Sequence, residues 1–169
     1  MLLRPAALER IGGLQAIRSE IIDDCALARA IKGSGGAIWL GLTRTAHSTR
    51  SYGTFSEVGR LISRTAFSQL RHSYALLLAT LAGLTLTYLA PPLLLATGDR
   101  LAVAFGAAAW FLMSIAYLPM VRFYALSPLW SLSLPAVALF YGAATAHSAL
   151  QYALRRGGRW KGRAQDVRI

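Results

Sequence analysis

The chain has 169 residues, enough for one ordinary domain, but its composition is not that of an ordinary soluble one. Hydrophobic residues make up 55% and charged residues 15%, against about a quarter charged in typical soluble domains. Between Tyr74 and Leu154 the formally charged side chains are Asp99, Arg100 and Arg122. The composition therefore predicts a mainly α-helical integral membrane protein with a polar N-terminal part and a basic tail.

The net charge of +11 has two interpretations. An excess of Lys and Arg can indicate nucleic-acid binding, but basic residues that flank apolar spans mark the cytoplasmic face of a membrane. We therefore predict membrane lipids as partners and no nucleic acid. Cys25 is the only cysteine, which excludes an intrachain disulfide, and the N-terminus lacks the apolar core of a signal peptide.

The first 53 residues contain short apolar runs separated by glycines and polar residues. Proline favours the first turn of a helix and glycine commonly follows the last, so Pro5 and the pair Gly12 and Gly13 delimit a short helix. We predict, in chain order, a helix over residues 5–11, a second helix over 23–32, a short buried strand over 37–42 and a loop over 43–53.

The sequence Thr-Phe-Ser-Glu at residues 54–57 fits a capping box and predicts a helix that continues to about His72. At about 100° per residue, Arg60, Arg64 and Arg71 fall on one face of this helix. The pattern is typical of a helix in the membrane interface, with arginines toward headgroup phosphates. An amphipathic helix packed on a protein core is the alternative. We favour the interface, because the helix leads directly into a membrane span.

Three apolar segments follow, and each is long enough to cross a bilayer core of about 30 Å. Pro91 and Pro92 must kink or end the first helix. We predict transmembrane spans over residues 74–97, 101–121 and 126–154.

The predicted spans and the basic tail conflict in their topology. A cytoplasmic N-terminal part followed by three crossings places the tail outside, whereas the arginines and lysine of residues 155–169 favour the cytoplasmic side. Either one apolar segment is re-entrant or the tail is an exception to the charge rule. The sequence leaves both alternatives open.

Asp23 and Asp24 are the residues with the clearest chemical interest. Asp is favoured at the start of a helix, where it caps backbone N–H groups and complements the helix dipole. The alternative is that a carboxylate at a helix start takes the proton from an attacking hydroxyl group. The pair alone does not decide between these two roles.

Three motifs surround this pair in a fixed order. Arg4 precedes Ala-Leu-x-x-Ile-Gly-Gly, Asp-Asp-x-x-Leu-Ala follows, and Gly-x-x-Ile-x-Leu comes next. These motifs occupy residues 7–13, 23–28 and 35–40. Together they resemble the second half of the catalytic domain of family 2 glycosyltransferases.

The chain is most similar to the hopanoid-biosynthesis-associated branch of that family. The branch carries Ile-Asp-Asp-Cys-Ala-Leu-Ala, Ile-Trp-Leu-Gly-Leu-Thr, Arg-Thr-Ala-Phe-x-Gln-Leu-Arg and Arg-Trp-Lys-Gly-Arg. In this chain these stretches occupy residues 22–28, 38–43, 64–71 and 159–163.

The resemblance implies a membrane-bound enzyme that transfers a sugar, with inversion, from a nucleotide-sugar to a lipid acceptor of hopanoid or isoprenoid type. Asp24 takes the place of the general base and Asp23 that of a supporting acid. Gln69 and Arg71 approximate a Gln-x-x-Arg-Trp motif that helps hold donor or acceptor, although its tryptophan is absent. For Arg71, a lipid-facing charge at the interface is the competing role.

The largest departure from the family is the missing nucleotide-binding half of its GT-A fold. In the family, that half supplies an Asp-x-Asp motif that holds a divalent cation, Mg²⁺ or Mn²⁺. No Asp-x-Asp occurs in this sequence. We therefore expect no metal ligands here, a chain that is the C-terminal portion of a longer enzyme, and no activity of this chain by itself.

These inferences predict four regions: the C-terminal part of a catalytic domain (1–53), a short α/β remnant of the GT-A fold; an amphipathic interfacial helix (54–73); a transmembrane region (74–154); and a basic tail (155–169). We expect a bacterial inner (plasma) membrane location with the catalytic segment cytoplasmic. The alternative function is a non-catalytic membrane anchor or a scaffold that assembles another protein.

Overall fold

The computed structural model describes residues 2–18, 20, 22–47, 49, 52–155, 159–160 and 163–164. These residues are mainly helical, as the composition predicts. The α-helices are α1 (Pro5–Arg10), α2 (Asp23–Gly33), α3 (Phe55–Gln69), α4 (Tyr74–Leu84), α5 (Ala90–Leu94), α6 (Arg100–Phe123) and α7 (Leu134–Ala153). Two 3-10 helices cover Leu14–Ile17 and Pro128–Ser133, a π-helix covers Thr85–Leu89, and β1 (Arg159–Trp160) pairs antiparallel with β2 (Arg163–Ala164).

The chain divides into two compact units, Met1–Thr49 and Arg50–Ile169. The first contains α1 and α2, and the second contains α3 to α7. The functional boundaries predicted at residues 53, 73 and 154 stay predictions. Most of the basic tail lies outside the described residues.

Glycines follow both helices of the first unit, and Gly12 and Gly13 do so as predicted. Gly12 and Gly13 follow α1 with φ of 83° and 77°, and Gly35 follows α2 with φ of 79°. The left-handed region is open to glycine at little steric cost, so each helix can close with backbone N–H groups turned back to its last carbonyls. The small core of this unit comes from α2, through buried Leu27 and Ile31.

The strand predicted over residues 37–42 is wrong for this structure. The segment has no regular secondary structure, and Trp39 and Leu40 are 88% and 97% exposed. A strand needs a neighbour for its N–H and C=O groups, and the first unit offers none among the described residues. The apolar side chains of this segment are therefore exposed in the structure.

The capping box predicted at the start of α3 is confirmed. The Thr54 side chain accepts a hydrogen bond from the backbone N–H of Glu57, and the Glu57 carboxylate accepts from the N–H of Thr54 and of Gly53. The helix ends at Gln69 and not near His72. Arg71 and His72 adopt φ of 53° and 56°, so Arg71 does not share a helical face with Arg60 and Arg64.

One face of α3 packs along α7. Phe67 is 1% exposed, and its backbone N–H donates to the Ser148 hydroxyl at 3.1 Å. Phe55, at the other end of α3, meets Phe140 edge-to-face with ring centroids 6.1 Å apart. At Phe67 α3 packs against protein, which is the alternative to an apolar face buried in lipid, whereas Phe55 is 83% exposed.

Three helical segments are long and apolar enough to cross a membrane: Tyr74–Leu94, Arg100–Phe123 and Pro128–Ala153. They support membrane association and correspond to the three predicted spans. The first is not one regular helix, because the π-helix Thr85–Leu89 precedes Pro91 and Pro92. Proline lacks an N–H and its ring displaces the preceding carbonyl, which accounts for an irregular turn before it.

Contacts between the helices fix their directions. Leu77, in the first turn of α4, packs with Ala149 near the end of α7. Gly142, nearer the start of α7, faces Leu81 and Leu84 further along α4. Because α7 runs antiparallel to α4, it ends where α4 begins.

The connection between α6 and α7 turns back beside α6. Gly106, near the start of α6, meets Pro91 of α5 at the end of the first span, so α6 also runs antiparallel to that span. Trp110, near the middle of α6, donates its indole N–H to the carbonyl of Leu132 at 3.2 Å. The consecutive helices α6 and α7 therefore point the same way, which favours the re-entrant alternative.

Substituting Gly106 tests the close approach of α5 and α6. A Cβ at Gly106 would lie 2.6 Å from the carbonyl oxygen of Pro91 and 2.8 Å from Leu94 Cβ. We expect Gly106→Ala to destabilise the detergent-solubilised protein by about 1–3 kcal/mol, as overpacking does. At Gly83 a Cβ meets nothing within 4 Å, so Gly83→Ala should not lower the melting temperature. Equal melting temperatures for the two variants would contradict the close approach.

Single-cysteine labelling tests the re-entrant arrangement. In a Cys25→Ser background, Gln69→Cys and Leu154→Cys should react from the same side of sealed vesicles with a membrane-impermeant maleimide, because the end of α3 and the end of α7 lie together. Thr97→Cys, between the first span and α6, should react from the opposite side. Labelling of Leu154→Cys together with Thr97→Cys would establish three full crossings.

Candidate functional site

Asp23 and Asp24 form the exposed first turn of α2. Ile22 is the N-cap residue, and no side chain caps this helix end. The Asp23 carboxylate accepts a hydrogen bond from the N–H of Asp24 at 3.0 Å, and the Asp24 carboxylate accepts from the N–H of Cys25 at 2.8 Å. Each acid therefore satisfies a first-turn donor without occupying the N-cap position.

This geometry leaves both roles of the acidic pair available. One oxygen of each carboxylate accepts a backbone hydrogen bond, and the second oxygen has no hydrogen-bond partner among the described residues. The exposed carboxylate of Asp24 is thus accessible to a hydroxyl group. Its role as general base and the supporting role of Asp23 stay predictions.

The charges near the start of α2 do not neutralise the acidic pair. The ion pair that the described residues form joins Arg29 and Glu20, 3.8 Å apart, and both side chains are exposed. Within the described part of the chain, no group of three or more His, Cys, Asp or Glu is placed to hold a metal ion. The side chains of the described residues therefore do not fit a divalent cation.

Gln69 and Arg71 lie at the end of α3, in the second unit. Gln69 is the last residue of α3 and is exposed. Arg71 is also exposed, and its backbone N–H donates to the backbone carbonyl of Ser68 at 2.9 Å. Their roles in holding donor or acceptor stay predictions, and the acidic pair belongs to the other unit.

The turn that carries Arg71 is held by an aromatic cluster. The His72 ring stacks on Tyr152 with centroids 4.3 Å apart, and Phe67 meets both rings edge-to-face. Left-handed backbone costs a non-glycine residue about 1–2 kcal/mol, so these contacts offset the strain at His72. Tyr152 thereby fixes the position from which Arg71 projects.

A polar network that the sequence did not predict links α3 to α7. The Ser63 hydroxyl donates to the carbonyl of Ala144 at 3.0 Å, and His147 Nδ1 lies 3.3 Å from the same hydroxyl oxygen. His147 Nε2 lies 3.0 Å from Gln151 Nε2. Because Ser63 has one hydroxyl proton, His147 Nδ1–H must donate to it, and His147 Nε2 accepts from Gln151.

Beside this network the two helices enclose an open groove of about 270 Å³. Both walls repeat residues at helical spacing, three or four apart. The lining residues are Ser56, Gly59, Arg60 and Ser63 from α3, and Phe140, Ala143, Ala144 and His147 from α7.

The family described as glycosyl transferase family 21 matches residues 1–169, so the match includes Asp23, Asp24, Gln69 and Arg71. No curated protein and no solved structure matches the chain.

The Ser63 network gives a test of the α3–α7 contact. Ser63→Ala removes the donor to Ala144 and the acceptor for His147, and each hydrogen bond is worth about 0.5–1.5 kcal/mol. We expect a loss of about 1–2 kcal/mol in stability, measured as a lower melting temperature in detergent. Ser56→Ala is the matched control, because exposed Ser56 bonds to the Arg60 side chain within α3. An equal shift in both variants would contradict the network.

Proposed function

The chain belongs to glycosyl transferase family 21. We therefore propose that it is the part of a membrane-bound enzyme that carries the general base for the acceptor, and that this enzyme moves a sugar from a nucleotide-sugar to a lipid. The observation that carries the proposal is the family match over all 169 residues. Three helices able to cross a membrane lie in the same chain. A lipid hydroxyl group is therefore available to it from the bilayer.

The family match supports a transferase with a sugar donor and an acceptor, as the sequence resemblance predicts. It names family 21, whereas the resemblance was to family 2 and its hopanoid-associated branch. The hopanoid or isoprenoid acceptor, the inverted linkage and the GT-A α/β remnant are finer proposals, which rest on the motifs at residues 22–28 and 38–43.

In the proposed reaction Asp24 is the general base. Its carboxylate accepts the proton of the acceptor hydroxyl as that oxygen attacks the anomeric carbon of the donor. The new carbon–oxygen bond forms on the face opposite the bond to the nucleoside diphosphate. That bond breaks, and the nucleoside diphosphate leaves with the electron pair. The configuration at the anomeric carbon is thereby inverted.

The other candidate residues would orient the reactants. Asp23 would hold the start of α2 through the N–H of Asp24 and so position the base. Gln69 and Arg71 would contact the donor diphosphate or the acceptor, with Arg71 supplying a positive charge. The side chains of both are exposed and can reach a ligand.

The donor and its divalent cation, Mg²⁺ or Mn²⁺, would be held by residues outside this chain. The described residues do not fit a metal, so no step of the reaction is assigned to one here. We propose a bacterial inner membrane location with α2 and the acidic pair on the cytoplasmic side.

Two substitutions at Asp24 separate the base from the helix-start role. Asp24→Asn keeps an oxygen that can accept from the N–H of Cys25 but removes the proton acceptor, whereas Asp24→Ala removes both. With the gene in its natural context, we expect both variants to reduce labelled glycolipid formation in membranes about a hundredfold or more, the usual range for a general base. The assay follows transfer from radiolabelled nucleotide-sugars into the lipid extract.

Cys25→Ser is the matched control, because Cys25 is exposed at the same turn, and it should keep wild-type activity. If Asp24→Asn retains activity and Asp24→Ala loses it, Asp24 is a helix-start residue only. If no nucleotide-sugar labels a lipid in wild-type membranes, the chain is a membrane anchor or scaffold. The exposed apolar segment at residues 38–42 is the observation that favours this second function.

A further inference from the structure

We propose that Tyr152 is a positioning residue for sugar transfer, acting through the ring of His72 on the guanidinium group of Arg71. This role rests on the proposed function, in which Arg71 supplies a positive charge to the reactants. It gives α7, part of a helical segment able to cross a membrane, a share in the reaction. The turn after α3, the ring contacts to α7 and the charge of Arg71 each support it.

The chain leaves α3 through a turn that glycine commonly occupies. The backbone N–H of Arg71 donates to the carbonyl of Ser68, and that of His72 donates to the carbonyl of Phe67. This pair of bonds is the Schellman ending of a helix, which places a left-handed residue after the C-cap Leu70. Arg71 takes that place with φ of 53°, and His72 follows with φ of 56°. Two residues with a Cβ therefore hold a conformation that glycine adopts at little cost.

Helix stability does not account for an arginine at this position. A basic side chain near a helix C-terminus interacts favourably with the helix dipole, but that gain is smaller than the cost of left-handed backbone. Ala125 follows α6 with φ of 54° and carries no charge, so this kind of turn does not require a cation. What Arg71 adds to the turn is therefore its exposed charge.

Aromatic rings from both helices hold the turn in this conformation. The His72 ring stacks on Tyr152 with centroids 4.3 Å apart and an interplanar angle of 22°. Phe67, which is 1% exposed, meets the two rings edge-to-face at 5.5 and 5.3 Å. Ser68 Oγ lies 3.3 Å from His72 Nε2. Because His72 is fixed by α3 at its edge and by Tyr152 on its face, the neighbouring Arg71 leaves the turn in a set direction.

The charge of Arg71 forms no ion pair with a described carboxylate. Within the described part of the second unit the carboxylates are those of Glu57 and Asp99. Glu57 accepts hydrogen bonds in the capping box at the opposite end of α3, and Asp99 accepts from the N–H of Ala102 at the start of α6. Phosphate oxygens pair well with guanidinium N–H groups, so Arg71 is suited to the diphosphate of a nucleotide-sugar.

The direction of Arg71 matters because charge develops during the proposed reaction. The nucleoside diphosphate leaves with the electron pair of the broken bond, so negative charge grows on its oxygens. A guanidinium that is oriented beforehand stabilises this charge without the cost of ordering it during the reaction. Tyr152 supplies that orientation through His72 and contacts no reactant itself.

A double-mutant cycle in the membrane assay described for Asp24 tests this role. We expect Tyr152→Leu, which removes the flat ring, to lower kcat/KM for the nucleotide-sugar about tenfold, as misplaced groups do. Tyr152→Phe keeps the ring and should retain the wild-type value. In an Arg71→Gln background Tyr152→Leu should have no further effect, because the residue that it positions is already lost. Tyr141→Leu, at an exposed tyrosine of α7, is the control.

A purely structural role gives a different result. If Tyr152→Leu lowers kcat/KM by the same factor in the wild-type and Arg71→Gln backgrounds, the ring only stabilises the helices and the proposal is wrong. Melting temperature in detergent shows which variants stay folded. His72→Leu removes the same stack from the α3 side, and one folded variant is sufficient. Unchanged kcat/KM in that variant would also overturn the proposal.

A spin label reports the order of the turn without enzyme activity. In a Cys25→Ser background, a nitroxide at Arg71→Cys should be more mobile with Tyr152→Leu than with Tyr152 or Tyr152→Phe, measured by electron paramagnetic resonance of the detergent-solubilised chain. Wild-type membranes that form no glycolipid would refute the proposed function. An active wild type with equal label mobility in the three proteins would refute the positioning role alone.

Discussion

The packing of α3 on α7 is the contact on which the second unit depends. Phe67 is almost fully buried there, and its backbone N–H reaches the Ser148 hydroxyl. A buried aromatic side chain supplies much of the apolar area in such a contact. Phe67 and Ser148 are 81 residues apart in the chain. This contact therefore joins the first helix of the unit to its last, and α4 to α6 lie between these two helices in the sequence.

Local signals in the sequence were sufficient for the helix ends. Gly12, Gly13 and Gly35 stop their helices through a backbone conformation that needs no tertiary partner, and the capping box at Thr54 acts within one turn. Long-range constraints were not readable in the same way. The strand at residues 37–42 fails because a strand requires a neighbour, and α3 ends at Gln69 because the chain must reverse into α4 over the Tyr152 ring.

The candidate site shows the same division. Asp23 and Asp24 were placed correctly in the first turn of α2, since acidic residues at a helix start carry a local signal. The Ser63–His147–Gln151 network was missed, although Ser63 and Phe67 share a face of α3 and His147 and Gln151 share one of α7. Helical spacing gives each face, but only the packed structure shows which faces meet.

The π-helix at Thr85–Leu89 has a consequence for how the first span divides its contacts. A π-turn carries one residue more than an α-turn, which rotates everything beyond it by about 100°. Leu77, Leu81 and Leu84, before the π-helix, face α7, whereas Pro91 and Leu94, after it, face α6. The first span thus contacts α7 with its first half and α6 with its second half, because the π-helix rotates the contacting face. Loss of a single residue within 85–89 would therefore disturb the bundle more than most substitutions there, because it would turn one half of the span away from its partner.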